Sequence, residues 1–269
     1  MSIRLLKGGI VLLKAVCEFF NYFEFLKELI KRDFKKKYYK SVLGILWTVL
    51  NPLLMMIVIT IVFSTLFARN IPNFPVYYLI GYIFVNFNNA TTSQSLHCIL
   101  SNSGLIKKIH LPKYMFVLSC VGVQFITLII SLIPLIIVML ATGAPITWYM
   151  LFLPIPILDV VLFTTGLSLI LSIYGTFLRD LTHLYGIITM VWMYLTPLFY
   201  PIEIIPTSIR PLWNLNPMYL FIDMARNFVY DQTFPSEQII IVAFLYGALT
   251  LIAGIYIFKK NQDKLFLYI

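Results

Sequence analysis

The sequence predicts an all-α polytopic membrane protein. Six transmembrane helices are expected, with an N-terminal amphipathic interface helix before them and a re-entrant hairpin between spans five and six. Three observations predict this. Of 269 residues, 60% are hydrophobic and 12% are charged, with a mean hydropathy of +0.90. A soluble domain is nearer half apolar and a quarter charged. Uncharged stretches also recur at the length of about 20 residues that a hydrocarbon core requires. Finally, the basic residues are sided, as a membrane topology demands.

The elements follow in order. Residues 1–42 read as a cytoplasmic segment and 43–269 as one transmembrane domain. Within Glu18 to Lys40, apolar Phe19, Phe20, Phe23, Leu26, Leu29 and Ile30 recur at helical spacing, with Glu24, Lys27, Glu28, Lys31 and Lys35 mostly between them. Such a helix lies in a membrane interface. Span one covers 43–68, uncharged and with Pro52 near its start. Span two covers 76–100, after Pro72 and Pro75. Span three is 114–141 and span four 149–175, divided by the turn-forming Thr142-Gly143-Ala144-Pro145. Span five is 184–200, and span six, 237–258, ends at Lys259-Lys260. With a cytoplasmic N-terminus, seventeen of the twenty Lys and Arg fall inside and three, Arg69, Arg210 and Arg226, outside. That asymmetry puts both termini in the cytoplasm.

Four stretches are more than plain spans. The interface helix is one. The second is the far end of span two, where Asn86, Asn88, Asn89, Thr91, Thr92, Ser93, Gln94 and Ser95 crowd together. They line a wet path or hydrogen-bond between helices. The third is the pair of short inner loops, 103–112 and 176–183, mixed apolar and charged, each long enough for about two helical turns. They are loop punctuation or docking elements for a soluble partner. The fourth is the outer segment from Tyr200 to Ser236, too apolar for a free loop and too rich in proline for a span. It reads as a re-entrant hairpin held at the interface by Trp213 and Tyr219.

Several functions are excluded or disfavoured. No Gly-x-x-x-x-Gly-Lys-Ser/Thr loop is present and no glycine precedes a lysine, so the chain does not bind ATP in the P-loop manner. His97, His110 and His183 are far apart and lack zinc spacing. Cys17, Cys98 and Cys120 read as small apolar fillers. The basic N-terminus lacks the short apolar run of a cleavable signal. The net charge of +9 follows topology, so nucleic-acid binding is not expected. Asp159 is the one acid well inside a span. It is a proton relay or, as we favour, a structural acid, protonated or bonded to Ser and Thr of a neighbouring helix.

The order of these parts resembles the membrane subunits of ABC-2 type exporters for polysaccharides, including O-antigen, capsule and teichoic acid permeases. The resemblance covers nearly the whole chain. It rests on Arg32-Asp33-Phe34, then Tyr39-Lys40-Ser41-x-Leu43-Gly44-x-Leu46-Trp47 with Asn51-Pro52 after it. Gly104-Leu105-Ile106-Lys107-Lys108 ahead of Leu111-Pro112 and Arg179-Asp180-Leu181 continue it, and Thr196-Pro197-Leu198-Phe199-Tyr200-Pro201 and Leu215-Asn216-Pro217-Met218 complete it.

The resemblance implies a homodimer in the bacterial cytoplasmic membrane, paired with two copies of a separate ATPase that binds ATP and magnesium. This chain would hold no cofactor or metal and do no covalent chemistry. A lipid-linked glycan would be the substrate. Gly104, Leu105, Lys107, Lys108, Arg179, Asp180 and His183 would contact the ATPase. Arg32, Asp33, Phe34 and Lys40 would hold the interface helix at the same boundary. Residues 202–230, with Glu203, Arg210, Trp213, Asn216 and Pro217, would form the external gate hairpin. Aromatic rings stack on the C–H faces of sugars, so Trp47, Phe63, Phe67, Tyr82, Phe84, Trp192, Tyr194, Phe199 and Tyr200, with Asn86, would line the path. Each aromatic reads equally as a lipid-facing or interface ring. A small-molecule ABC-2 permease and a membrane glycosyltransferase are the rival classes. The latter lacks a coherent set of acids in its loops.

Overall fold

The computed structural model describes residues 22–39, 41–67, 71–108, 111–178 and 180–268, without the side chains of 64–67 and 267. These residues form helices and turns, with no strand among them.

Helix α1, Phe23–Tyr38, buries Leu26 and Leu29 and packs on α4, Tyr114–Thr142. Its charged face points away, as the alternation in the sequence requires. Helix α2 spans Leu46–Phe67, α3 Phe74–Ser101 and α5 Pro154–Phe177, the last preceded by a 3₁₀ turn over Trp148–Phe152. The turn between α4 and α5 forms where expected. Gly143 sits at φ +68°, a conformation glycine adopts without steric cost, and closes α4.

Span five differs from its expected range of 184–200. Helix α6 covers Leu181–Leu195, 15 residues or about 22 Å. Thr196 turns extended ahead of Pro197, whose ring disfavours a helical residue before it. The outer segment is also more broken than a helical hairpin. It holds 3₁₀ turns at Ile202–Ile204 and Arg210–Leu215, then α7, Pro217–Arg226, and a π turn over Asn227–Asp231. Helix α8, Glu237–Asn261, is followed by a 3₁₀ segment, Gln262–Leu267.

Among the described residues, four helical stretches are long and apolar enough to cross a membrane: Leu46–Phe63, Tyr114–Thr142, Trp148–Phe177 and Glu237–Phe266. The chain is therefore a multi-pass membrane protein. Helix α3 has the length, 28 residues, but carries the polar run from Asn86 to Ser95. Helix α6 has the composition but is short.

Lipid is as apolar as leucine, so these helices associate by close packing rather than by escape from water. The tightest seam joins α5 to α8. A Cβ on Gly166 would lie 2.3 Å from the Thr250 carbonyl oxygen, and one on Gly254 would lie 2.4 Å from that of Gly166. Asp159 is buried beside this seam at 2% exposure. Its Oδ2 has no hydrogen-bond partner among the described residues, so of the two structural alternatives the bond to Ser or Thr is not found there. Half of the polar run of α3 turns inward: Asn88, Thr91, Thr92 and Ser95 are buried, Asn86 and Asn89 are half-buried, and Ser93 and Gln94 are exposed. Thr164 donates to Asn88 Oδ1 at 3.0 Å, Gln124 to Gln94 at 2.8 Å, and Thr91, Thr92 and Ser95 bond back to their own helix. Cys98 and Cys120 are buried.

Candidate functional site

Two clusters of polar and aromatic residues lie at opposite ends of the bundle. The first is built on α1. Arg32 pairs with Asp33 at 2.7 Å and donates to Asn102 Oδ1 at 2.9 Å. Asp33 Oδ2 accepts from Ser119 at 2.8 Å. Phe34 meets the Tyr38 ring edge-on at 4.9 Å, and Tyr38 and Thr48 share a hydroxyl hydrogen bond of 2.7 Å. Lys37 donates to Gln124 and Thr127, and burial pulls its pKa below the ordinary lysine value. The Arg-Asp-Phe motif is thus a latch. It ties α1 to the end of α3 and the start of α4, and Tyr38 beside it ties α1 to the start of α2.

Asn102 directly precedes the first inner loop. That loop forms one helical turn, Ser103–Ile106, anchored by buried Ile106. Gly104, Lys107 and Lys108 are exposed and Leu105 is half-buried. In the second loop, Asp180 and His183 are exposed. Thr182 lies 3.5 Å from His97 Nε2, joining this loop to α3. Arg179, Lys40 and His110 lie outside the described residues, as does the segment before Tyr22. The two loops therefore present charge from one end of the bundle while their apolar residues hold them to it.

The sequence did not reveal a third part of this face. Lys113 donates to the Gln262 carbonyl and stands 3.7 Å from the centre of the Phe266 ring. Burial lowers its pKa, against the pull of Asp263. Leu265 is fully buried and Phe177 meets Tyr268 at 4.8 Å. The C-terminal 3₁₀ segment so clasps both inner loops at their bases. Its sequence signal, an amphipathic turn after Lys259-Lys260, is too short to read as structure alone.

At the other end, several of the singled-out aromatics meet. Phe199 stacks on Phe63 at 5.4 Å and on Tyr78 at 5.9 Å, and approaches Tyr194 at 6.2 Å. Tyr78 in turn meets Tyr82 at 5.6 Å, and Tyr200 donates to the Tyr194 carbonyl. Tyr78 had not been singled out. Trp47 stands apart, half-exposed near the inner end of α2, Phe84 is buried at 2% exposure and Asn86 is half-buried. The Phe67 side chain lies outside the described residues.

The outer segment is stitched to α6. Trp192 donates to Asn216 Oδ1 at 2.7 Å, and Asn216 donates to Thr196 Oγ1 at 3.0 Å. The same Asn216 oxygen caps α7 through the Met218 amide, with Pro217 in the first turn. This is local chemistry the Asn-Pro pair specifies. Trp213 donates to the Leu195 carbonyl, and Arg210 to those of Glu203 and Ile205. Glu203 is exposed. The remaining cation, Arg226, is 5% exposed. It donates to the Pro197 carbonyl at 2.7 Å and lies 3.4 Å over the Tyr77 ring. Sequence reasoning had counted it only as a topological charge.

No group of three His, Cys, Asp or Glu among the described residues could hold a metal ion. The arrangement presents a charged face at one end, and aromatic and polar surfaces at the other. Comparison with known proteins agrees in kind. The family described as ABC-2 type transporter matches residues 24–230, more than three quarters of the chain. The O-antigen export system permease protein RfbA of Myxococcus xanthus is 28% identical over 255 residues, covering 94% of this chain and 98% of that protein. A permease of the same name from Klebsiella pneumoniae is 29% identical over 244 residues, covering 90% and 93%. A second Klebsiella pneumoniae relative of that name is 28% identical over the same length.

Proposed function

The chain belongs to the ABC-2 type transporter family, and from that premise we propose that it is the transmembrane subunit of an exporter carrying a lipid-linked polysaccharide across the bacterial cytoplasmic membrane. Two copies form the path and two copies of a separate ATPase, with ATP and magnesium, supply the work. Both termini are cytoplasmic, and α3 and α6 complete six spans. Lys107, Lys108, Arg179, Asp180 and His183 meet the ATPase, and the segment 202–230 gates the outer exit.

One observation carries this reading further than the others. Arg32 bonds Asn102, so the interface helix and the loop bearing Lys107 and Lys108 are fastened together. A push on that loop by a soluble partner is passed to α1, α3 and α4 as a unit, which is how a partner without contact to the path can move it. The names of the relatives support a polysaccharide as cargo. The aromatic group around Phe199 supports it chemically, because stacked rings give repeated weak contacts along which a chain slides.

Depleting the protein from its native cell tests this. The expected result is one lipid-linked glycan trapped in the cytoplasmic leaflet while its surface form disappears. Normal surface glycan after depletion would overturn the cargo, and a small-molecule permease would then lead.

A further inference from the structure

Between the ends of α3 and α4 remote from α1, the arm 197–203 and α7 with its π turn enclose a cavity of about 730 Å³. That lies within the roughly 300–1,000 Å³ of small-molecule sites. Tyr77, Glu203, Tyr219, Asp223, Arg226 and Asp231 are among its walls. None of the six takes part in the inner coupling face.

The chemistry of these walls selects a ligand. Three carboxylates and one guanidinium line the cavity. The guanidinium is largely committed, to the carbonyls of Pro197 and Tyr77 and to the Tyr77 ring. Its Nε, buried, has no hydrogen-bond partner among the described residues. The carboxylates do not converge as a metal site does. They are spread along the cavity, Glu203 on the arm, Asp223 within α7 and Asp231 at the end of the π turn. Dispersed acceptors beside a half-buried tyrosine suit a molecule whose donors are distributed over its surface. A sugar's hydroxyls are so distributed, and an amino sugar adds a positive charge. A phosphate would meet three like charges.

We propose that this cavity is an exit-side subsite for neutral or amine-bearing sugar residues, and that it turns away phosphate-bearing polymers. It rests on the export reading above and narrows its cargo, setting sugar polymers apart from polyol phosphates.

The test uses the full transporter with its ATPase subunit in lipid nanodiscs. Three probes are compared by saturation-transfer NMR: a mannose trisaccharide, a glucosamine trisaccharide and a glycerol-phosphate trimer. The expected result is transfer to at least one sugar probe and none to the glycerol phosphate. In Glu203→Gln/Asp231→Asn, both exposed positions, sugar affinity falls by about fivefold or more, as the loss of charged hydrogen bonds implies. A glycerol-phosphate signal equal to or above those of the sugars overturns the proposal. So does the absence of any sugar signal, or one unchanged in the variant. Depletion in cells separates this from the cargo itself. If depletion traps a glycan but the binding pattern fails, the exporter stands and the subsite falls. If sugar binds but depletion leaves surface glycan normal, the cavity has no exit-side role.

Discussion

Helices α2 and α5 are equally apolar in sequence and differently used in space. Their membrane-crossing windows have mean hydropathies of 2.2 and 2.0. Yet Val160 of α5 is fully buried, whereas Ile61 of α2 is 67% exposed. The difference lies in small residues. Helix α5 carries Thr164, Thr165, Gly166, Ser168, Ser172, Gly175 and Thr176 on surfaces that meet α3 and α8. Helix α2 carries Thr48, Thr60, Ser64 and Thr65 but, unlike α5, has no glycine, and no alanine, between Leu46 and Phe67. Without a hydrophobic force between helices in lipid, only a helix whose backbone can be approached closely gains much from its neighbours. Hydropathy says that both helices cross. Side-chain size says which one is the hub of the chain and which keeps its face for lipid or a second subunit.

The comparison breaks most visibly at Gly166. Gly166→Leu should force α5 from α8, because the obstacle is backbone at 2.3 Å rather than a side chain that can swing away. The cost should reach or exceed the upper end of the ~1–3 kcal/mol of overpacked cores. Monodisperse yield and thermal unfolding in detergent would show it, against an unchanged Ile61→Leu control in α2. An equally stable Gly166→Leu protein would mean the seam is not what holds the bundle.

Asp33→Asn comes next in size. It removes an ion pair and weakens the tie to Ser119, while the apolar packing of α1 through Leu26 and Leu29 remains. A loss of ~1–2 kcal/mol is expected. Export and stimulated ATP hydrolysis should fall by much more than that change in stability implies. A parallel loss of both would make the latch merely structural.

On α2, Val58→Trp and Ile61→Trp should leave the folded chain intact, because both side chains already point outward. In the proposed homodimer they should weaken association, read as a shift toward monomer in the mass of the detergent complex. Persistence of the dimer would assign α2 to lipid and the partner face elsewhere.

The smallest effect is expected at Asp223, on the short helix that packs against α5. Burial raises its pKa to about 6, partly opposed by Arg226 and reinforced by Asp231. A carboxyl with a folded pKa above its unfolded value holds its proton more tightly in the native chain. Its contribution is therefore most favourable at low pH and is lost as pH rises from about 4 through 6. The melting temperature of the wild type should fall across that window relative to Asp223→Asn. Parallel curves would show that the side chain is solvated after all.

Much of this was legible before any coordinates. The ends of α4 at Tyr114 and Thr142 and of α8 near Lys259-Lys260 are marked by charge, glycine and proline, which act on their own backbone. The cap at Asn216-Pro217 is equally local. The end of span five is not legible in the sequence, because the apolar residues of 196–200 hide the break that Pro197 makes. The helix over Phe23–Tyr38 is legible in its alternation, although Leu26 and Leu29 rather than Phe23 form its buried face.

The sequence by itself determined that this chain lives in a membrane and roughly where its long apolar helices run. Those properties sum over neighbouring residues, and composition and period report them. Only the tertiary structure decided that Arg32 reaches Asn102 seventy residues away, that Lys113 holds the C-terminal segment, and that Arg226 sits beside Asp223 in a cavity rather than serving as a surface charge. Such pairings depend on which helix faces which, and in lipid that is settled by shape, through the close approach that a few glycines permit.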